Sequence, residues 1–169
     1  MREAPQPAPE RIVPAPGHPL VVGVGPRKAS LVALTAAEWA QATGAGLYFA
    51  YADPSRVVEE EFPDGTIRHA GLDPDGDDDG WADTERDLRA WLTGLELPVS
   101  WELRYLAGRA DRALTHLARA VDACAIVVGA RRLHSARFGQ GRWLGEDLAR
   151  HQHRPVLAVP LEVVDWKLQ

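Results

Sequence analysis

Between Gly129 and Pro155 the chain carries six arginines, Arg131, Arg132, Arg137, Arg142, Arg150 and Arg154, against two acids, Glu146 and Asp147. A guanidinium is a rigid fork of donors that matches a phosphate or carboxylate two bonds at a time, so this stretch has the chemistry of an anion site. The same pattern also suits a solvated loop whose arginines pair with acidic surface elsewhere. A segment of opposite sign runs from Asp53 to Arg89, with 13 acidic and four basic residues. Its densest part, Leu72 to Gly80, has the composition of a calcium loop without the geometry. An EF-hand begun at Asp73 needs glycine at Asp78 and a bidentate glutamate at Thr84. It reads instead as an acidic connection before a helix whose exposed amides an Asp or Thr84 caps.

The remaining reactive side chains do not assemble into a mechanism. His151 and His153 are two imidazoles without a third metal ligand, and a cationic His is favourable near a helix C-terminus in any case. Cys124 stands in an apolar run, where cysteine behaves as a small hydrophobe. Of the four serines none lies in a G-x-S-x-G elbow, and Ser135 has only the adjacent His134 as a base. Gly23-Val-Gly25 lacks the third glycine of a dinucleotide fingerprint, and there is no P-loop. No catalytic residue and no metal site is expected.

A chain of 169 residues with 46% hydrophobic and 25% charged residues suits one compact domain. No apolar run approaches the roughly 18–20 residues that span a bilayer, and the start lacks the apolar stretch of a secretory signal. A single cysteine cannot form an internal disulfide or a multi-cysteine zinc site. A net charge of −5 does not favour nucleic acid. The expectation is a soluble cytoplasmic protein that engages neither membrane nor nucleic acid.

The elements that must position any site follow from periodicity. Residues 1 to 18, with prolines at Pro5, Pro7, Pro9, Pro14 and Pro16, read as a disordered or extended tail. Leu20-Val-Val-Gly-Val24, Leu47 to Ala52, Cys124 to Val128 and Pro155 to Val159 are short apolar runs of the kind buried on both faces of a parallel sheet. Val99 to Leu106 alternates as a strand with one less-buried face. Ser30 to Thr43, Asp83 to Leu95, Arg109 to Val121 and Arg142 to His151 have helical spacing, with Gly44 as a stop and Trp39 and Trp91 on apolar faces. Strand and helix alternating in this way predict an α/β domain, a doubly wound sheet of five parallel strands with helices on both faces. Ligands of such sheets sit beyond the carboxyl ends of the strands. The candidate loops are therefore 25–29, 52–56, 107–109 and 129–141.

Val127-Val128-Gly129, a long loop, a helix and then Arg154-Pro155-Val156-Leu157-Ala158-Val159 resemble the C-terminal half of universal stress protein (UspA-like) domains. Val21-Val-Gly-Val24, the Ala-rich helix ending Ala40-Gln-Ala-Thr-Gly-Ala-Gly-Leu47, and Leu106-Ala-Gly108 are similar to the family's first strand, first helix and second strand, and a later strand end. The likeness covers about Pro19 to Leu161, apart from 56–80. It implies an adenine nucleotide alpha hydrolase-like domain over 19–161, with 162–169 as a C-terminal extension, and a non-enzymatic role in stress response or regulation.

Family members that bind ATP carry an Asp after the first strand and a loop G-x-x-G-x9-G-[S/T]. Here the Asp position is Gly25. Gly129 is the first loop glycine, but the second falls on Arg132, the third on Arg142 and the hydroxyl on Trp143. A one-residue slip puts Gly141 third and leaves Arg142 at the hydroxyl. Arginine side chains occupy the space that a backbone cradle for phosphate needs. The expectation is thus no cofactor and no ATP in the usual manner, with Trp143 filling the vacant cleft. The alternative is a nucleotide or anionic metabolite held by Gly25, Ala52, Gly129, Arg131, Arg132, Arg142 and Trp143. The last strand often pairs subunits in the family, so a homodimer through Pro155 to Val159 is expected, alongside an unidentified protein partner.

Overall fold

The structure, a computed structural model, describes residues 5–73, 75–76, 79–130 and 143–162. After a 3-10 turn at Pro9–Arg11, the elements in chain order begin with β1 (Leu20–Gly23), α1 (Ser30–Thr43), β2 (Leu47–Asp53), β3 (Arg56–Glu61) and β4 (Ile67–Gly71). They continue with α2 (Gly80–Gly94), β5 (Trp101–Ala107), α3 (Ala110–Ala120), β6 (Ala125–Ala130), α4 (Leu144–His151) and β7 (Val156–Pro160). Five strands form one parallel sheet in the order β5-β2-β1-β6-β7. The expected α/β architecture is present, with α1 at its expected bounds and no element end displaced by more than three residues.

Side chains of successive strand residues point to opposite faces, and both Val21 and Val22 are 0% exposed. The sheet is therefore covered on both sides, which is why its central strands read as unbroken apolar runs. On one side α1 and α2 bury Val32, Ala36, Ala40, Leu88 and Leu92 against Phe49 and Val127. On the other, α3 and α4 bury Leu114, Leu117, Ala118 and Leu148 against Val21, Ile126 and Val128. Each of the buried Val, Leu, Ile and Phe side chains is worth about 1.5–3 kcal/mol relative to exposure, the alanines less.

Three features depart from the sequence reading. The stretch 56–71, read only as part of an acidic segment, folds as an antiparallel hairpin of β3 and β4. Its turn places Gly65 at φ +83°, and a Cβ there would stand 2.5 Å from Leu117 Cδ1, so the tip rests directly on α3. Trp39, expected in the core, is 51% exposed. The buried stripe of α1 is made of Ala33, Ala36, Ala37 and Ala40, which lets the helix lie close to the sheet and leaves Trp39 outside it. Trp91 is half-buried, its Nε1–H donating to Ser30 Oγ at 3.2 Å.

The proline-rich segment is extended around the 3-10 turn at Pro9–Arg11 and a second turn in which His18 N–H donates to Ala15 O at 3.3 Å, and its inner end is tied to the domain. Val13 packs on the α1 side of the core, Gly17 N–H donates to Thr43 O at 3.1 Å, and His18 Nδ1 lies 3.0 Å from Asp122 O. No helix among the described residues is long and apolar enough to cross a membrane.

Candidate functional site

The strand order reverses between β1 and β6, because the chain runs outward from β1 to β2 and β5 before returning to β6. Loops at that reversal diverge and leave a crevice beyond the carboxyl ends. Here it is a cleft of about 620 Å³. The loop 25–29 after β1 forms one wall, Ala52 and Pro54 after β2 another, and Gly129 at the end of β6 a third. Val32 from α1 and Leu114 from α3 reach it from opposite faces of the sheet, and Tyr51, Leu144 and Leu161 complete an apolar floor.

The wall after β1 is a tight turn. Lys28 N–H donates to Gly25 O at 2.9 Å, and Lys28 sits at φ +53°. This turn puts the exposed Arg27 and Lys28 at the rim. No Asp or Glu is among the described residues that line the cleft. α1 then starts without a side-chain cap, since Ala29 occupies the N-cap. Val32 N–H donates back to Ala29 O at 3.1 Å, which leaves the amides of Ser30 and Leu31 as the ones a negative group could meet.

Asp53, between the lining residues Ala52 and Pro54, is turned to neighbours outside the lining. It accepts from Ser55 N–H at 2.9 Å, Ser55 Oγ–H at 2.6 Å and Tyr105 O–H at 2.6 Å. Burial pushes its carboxyl up, but the Ser55 and Tyr105 hydrogen bonds and the Arg56 charge outweigh this and hold it below its ordinary value. The Tyr105 hydroxyl is pushed well above its ordinary range by burial and by that hydrogen bond to Asp53. Beside this pair, the buried Arg56 donates to His69 Nδ1 and lies 5.5 Å from the centre of the Trp81 ring, which fastens the β3–β4 hairpin to β5. Cys124 is buried with its thiol pushed up by burial, as suits an inert position.

Of the residues singled out from sequence, the fold brings Gly25, Ala52 and Gly129 together in the cleft. Trp143 is not among its lining residues. It precedes α4, and its ring lies over Gly145, so the cleft is open rather than filled by this indole. Arg131, Arg132 and Arg142 lie outside the described residues. Arg154, counted among the arginines free for an anion, is buried; its Nε–H donates to Ala123 O at 2.7 Å. Arg150 pairs with Glu146 at 2.7 Å. Sequence reasoning passed over Lys28, Tyr51, Leu114 and Leu161. Lys28 falls in a loop that the sheet rule had marked; nothing in the sequence marked the other three.

No protein-family model matches the chain, and no curated protein does. Solved structures do. A universal stress protein from Archaeoglobus fulgidus superposes with a TM-score of 0.59 at 21% identity, over 85% of this chain and 94% of that one. A universal stress protein from the same organism in complex with dAMP gives 0.57 at 22% identity, over 84% and 97%. A universal stress protein in complex with cAMP gives 0.57 at 20%, over 87% and 99%. The chain has the α/β fold of universal stress protein domains.

Proposed function

We propose that this protein is a universal stress protein-like regulatory domain of the cytoplasm, without enzymatic activity, that does not hold ATP in the way the family's binding members do. The observation that carries this reading is Gly25. It borders the cleft where those members place an Asp, and the described lining offers no other carboxylate to hold the nucleoside part. The domain acts through contacts with a second copy and with other proteins. In support, β7 is an outer strand of the sheet with Ala158 exposed on it, an edge that a partner strand can cover. The single buried cysteine agrees with a reducing compartment.

A second reading has the open cleft in its favour. Its apolar floor and the cationic rim of Arg27 and Lys28 suit a nucleotide or another anionic metabolite. Two of the similar folds carry dAMP and cAMP. Thermal melting against Mg-ATP, AMP and inorganic phosphate separates the readings, since a ligand at 100 times its Kd adds about 2.7 kcal/mol of stability. On the first reading no shift that depends on the cleft residue Arg27 is expected at millimolar ligand. A saturable shift with ATP or AMP that Arg27→Glu removes establishes the second. For the dimer, sedimentation should give a dimer mass that Ala158→Glu reduces to monomer; a wild-type monomer at tens of micromolar contradicts it.

A further inference from the structure

A second concave surface lies away from the cleft, on the outer side of α3 and α4. Two hollows of about 450 and 500 Å³ share Thr115, Arg119 and His151 and so form one groove. α3 buries Leu114, Leu117 and Ala118, while Arg109 just before it and Arg112 and Arg119 on it are exposed, with the half-buried His116 between them. The proline-rich segment adds Arg11 to the far wall, and the end of α4 adds His151 and then His153.

Several of these side chains already have acidic partners. Arg109 pairs with Asp111 at 2.9 Å, His116 with Glu61 at 3.3 Å and Arg150 with Glu146 at 2.7 Å. Arg11, Arg112 and Arg119 have no acidic partner among the described residues. The chain has 24 Asp and Glu against 19 Lys and Arg, so this stripe is not the by-product of a basic protein. His153 registers the field: burial first, and then the charges of Arg154, Arg11 and Arg119, lower its affinity for a proton.

We propose that this groove binds a linear oligophosphate, anchored by Arg112 and Arg119 on α3 and by Arg11 opposite. Arg112 and Arg119 are seven positions apart, about 10 Å along the helix axis. A chain of several phosphates presents an anionic oxygen pair to each fork along that length, whereas a single phosphate has fewer oxygens to share among Arg112, Arg119 and Arg11. His116 and His151 line the same groove, and Thr115 offers a hydroxyl between them. A free inorganic chain and the oligophosphate of a nucleotide share this chemistry.

The test is titration calorimetry of the full chain with orthophosphate, tripolyphosphate, long-chain polyphosphate and ATP at fixed near-physiological salt. Affinity should rise with chain length, tripolyphosphate binding at least about tenfold more tightly than orthophosphate. Arg112→Ala/Arg119→Ala should weaken it by about tenfold or more, as loss of charge-assisted hydrogen bonds does, while the melting temperature stays put. ATP binding that matches tripolyphosphate and is lost in the same variant assigns the groove to a nucleotide-borne chain; silent ATP assigns it to a free one. Affinity that ignores chain length, or that survives the double substitution, overturns the proposal. So does binding abolished by Arg27→Glu alone, which places the phosphates in the cleft. A salt-sensitive self-association removed by Arg112→Ala/Arg119→Ala, with no phosphate binding, also overturns it and gives the groove to an acidic segment of a second copy.

Discussion

A methyl group on Gly129 would stand 2.6 Å from Leu161 Cδ1 and 3.2 Å from Val32 Cγ2. The glycine near the end of β6 thus lets Leu161, just beyond β7, close down over the cleft floor. The missing Cβ that a phosphate loop would use for backbone approach is used here for side-chain packing. Gly129→Ala should cost about 1–3 kcal/mol, the usual penalty for overfilling a packed site. Leu161→Ala should relieve that clash, so the double variant should lose less than the two single losses combined. Strictly additive losses in urea unfolding would show that the two residues do not meet.

Tyr105 and Asp53 set opposite limbs of a pH profile. The Asp53 carboxyl is held below its ordinary value of 3.8. Its contribution is therefore present above that value and lost as acid protonates the folded form. The Tyr105 hydroxyl is raised above 10.0, so its contribution is present below pH 10.0 and lost as alkali climbs past it. Tyr105→Phe removes the donor and the titrating phenol together and should flatten both limbs. Urea unfolding across pH checks this, and an acid limb identical to wild type would contradict it.

Lys28 holds φ +53° without being glycine. A side chain in that region costs about 1–2 kcal/mol, while glycine adds roughly 1 kcal/mol of unfolded-chain entropy. Lys28→Gly should leave the melting temperature level or slightly higher, although it removes a rim cation. Any anion binding in the cleft should weaken in the same variant. A clear drop in melting temperature would mean that the lysine side chain supports the turn.

Trp143 sits on its own helix start, where a Cβ on Gly145 would stand 2.1 Å from its Cζ3. The ring is half-buried and outside the cleft lining. Trp143→Ala should cost about 1–3 kcal/mol, below the 3–5 kcal/mol of a fully buried tryptophan. It should leave binding in the cleft unchanged. A larger loss with newly gained nucleotide binding would return this residue to the role of a plug.

Four strands of the sheet were legible as apolar runs, because burial on both faces demands apolar side chains and Val21-Val22 or Ile126-Val127 can serve little else, and β5 was legible from its alternation. Gly44, at φ +66°, ends α1 as its residue type implies. The sheet rule also led from order alone to Gly25, Ala52 and Gly129, which come together because parallel strands deliver their carboxyl ends to one edge. The hairpin was not legible in the same way. Arg56-Val-Val-Glu-Glu-Glu61 is largely exposed and owes its place to Gly65 on Leu117 and to Arg56 beneath Trp81. Only Asp64-Gly65 marked it as a turn.

By itself, then, the sequence determined the layered α/β domain and the edge where a ligand must sit, since both follow from local periodicity and chain order. Which side chains face that edge was decided by packing between distant segments. Leu161 covers Gly129, and Arg154 is spent on Ala123 O. The groove that joins Arg11 to Arg112 and Arg119 exists only once the proline-rich segment lies beside the C-terminal end of α4. Such contacts depend on distances between residues about 30 to 140 positions apart along the chain, and no local pattern encodes those distances.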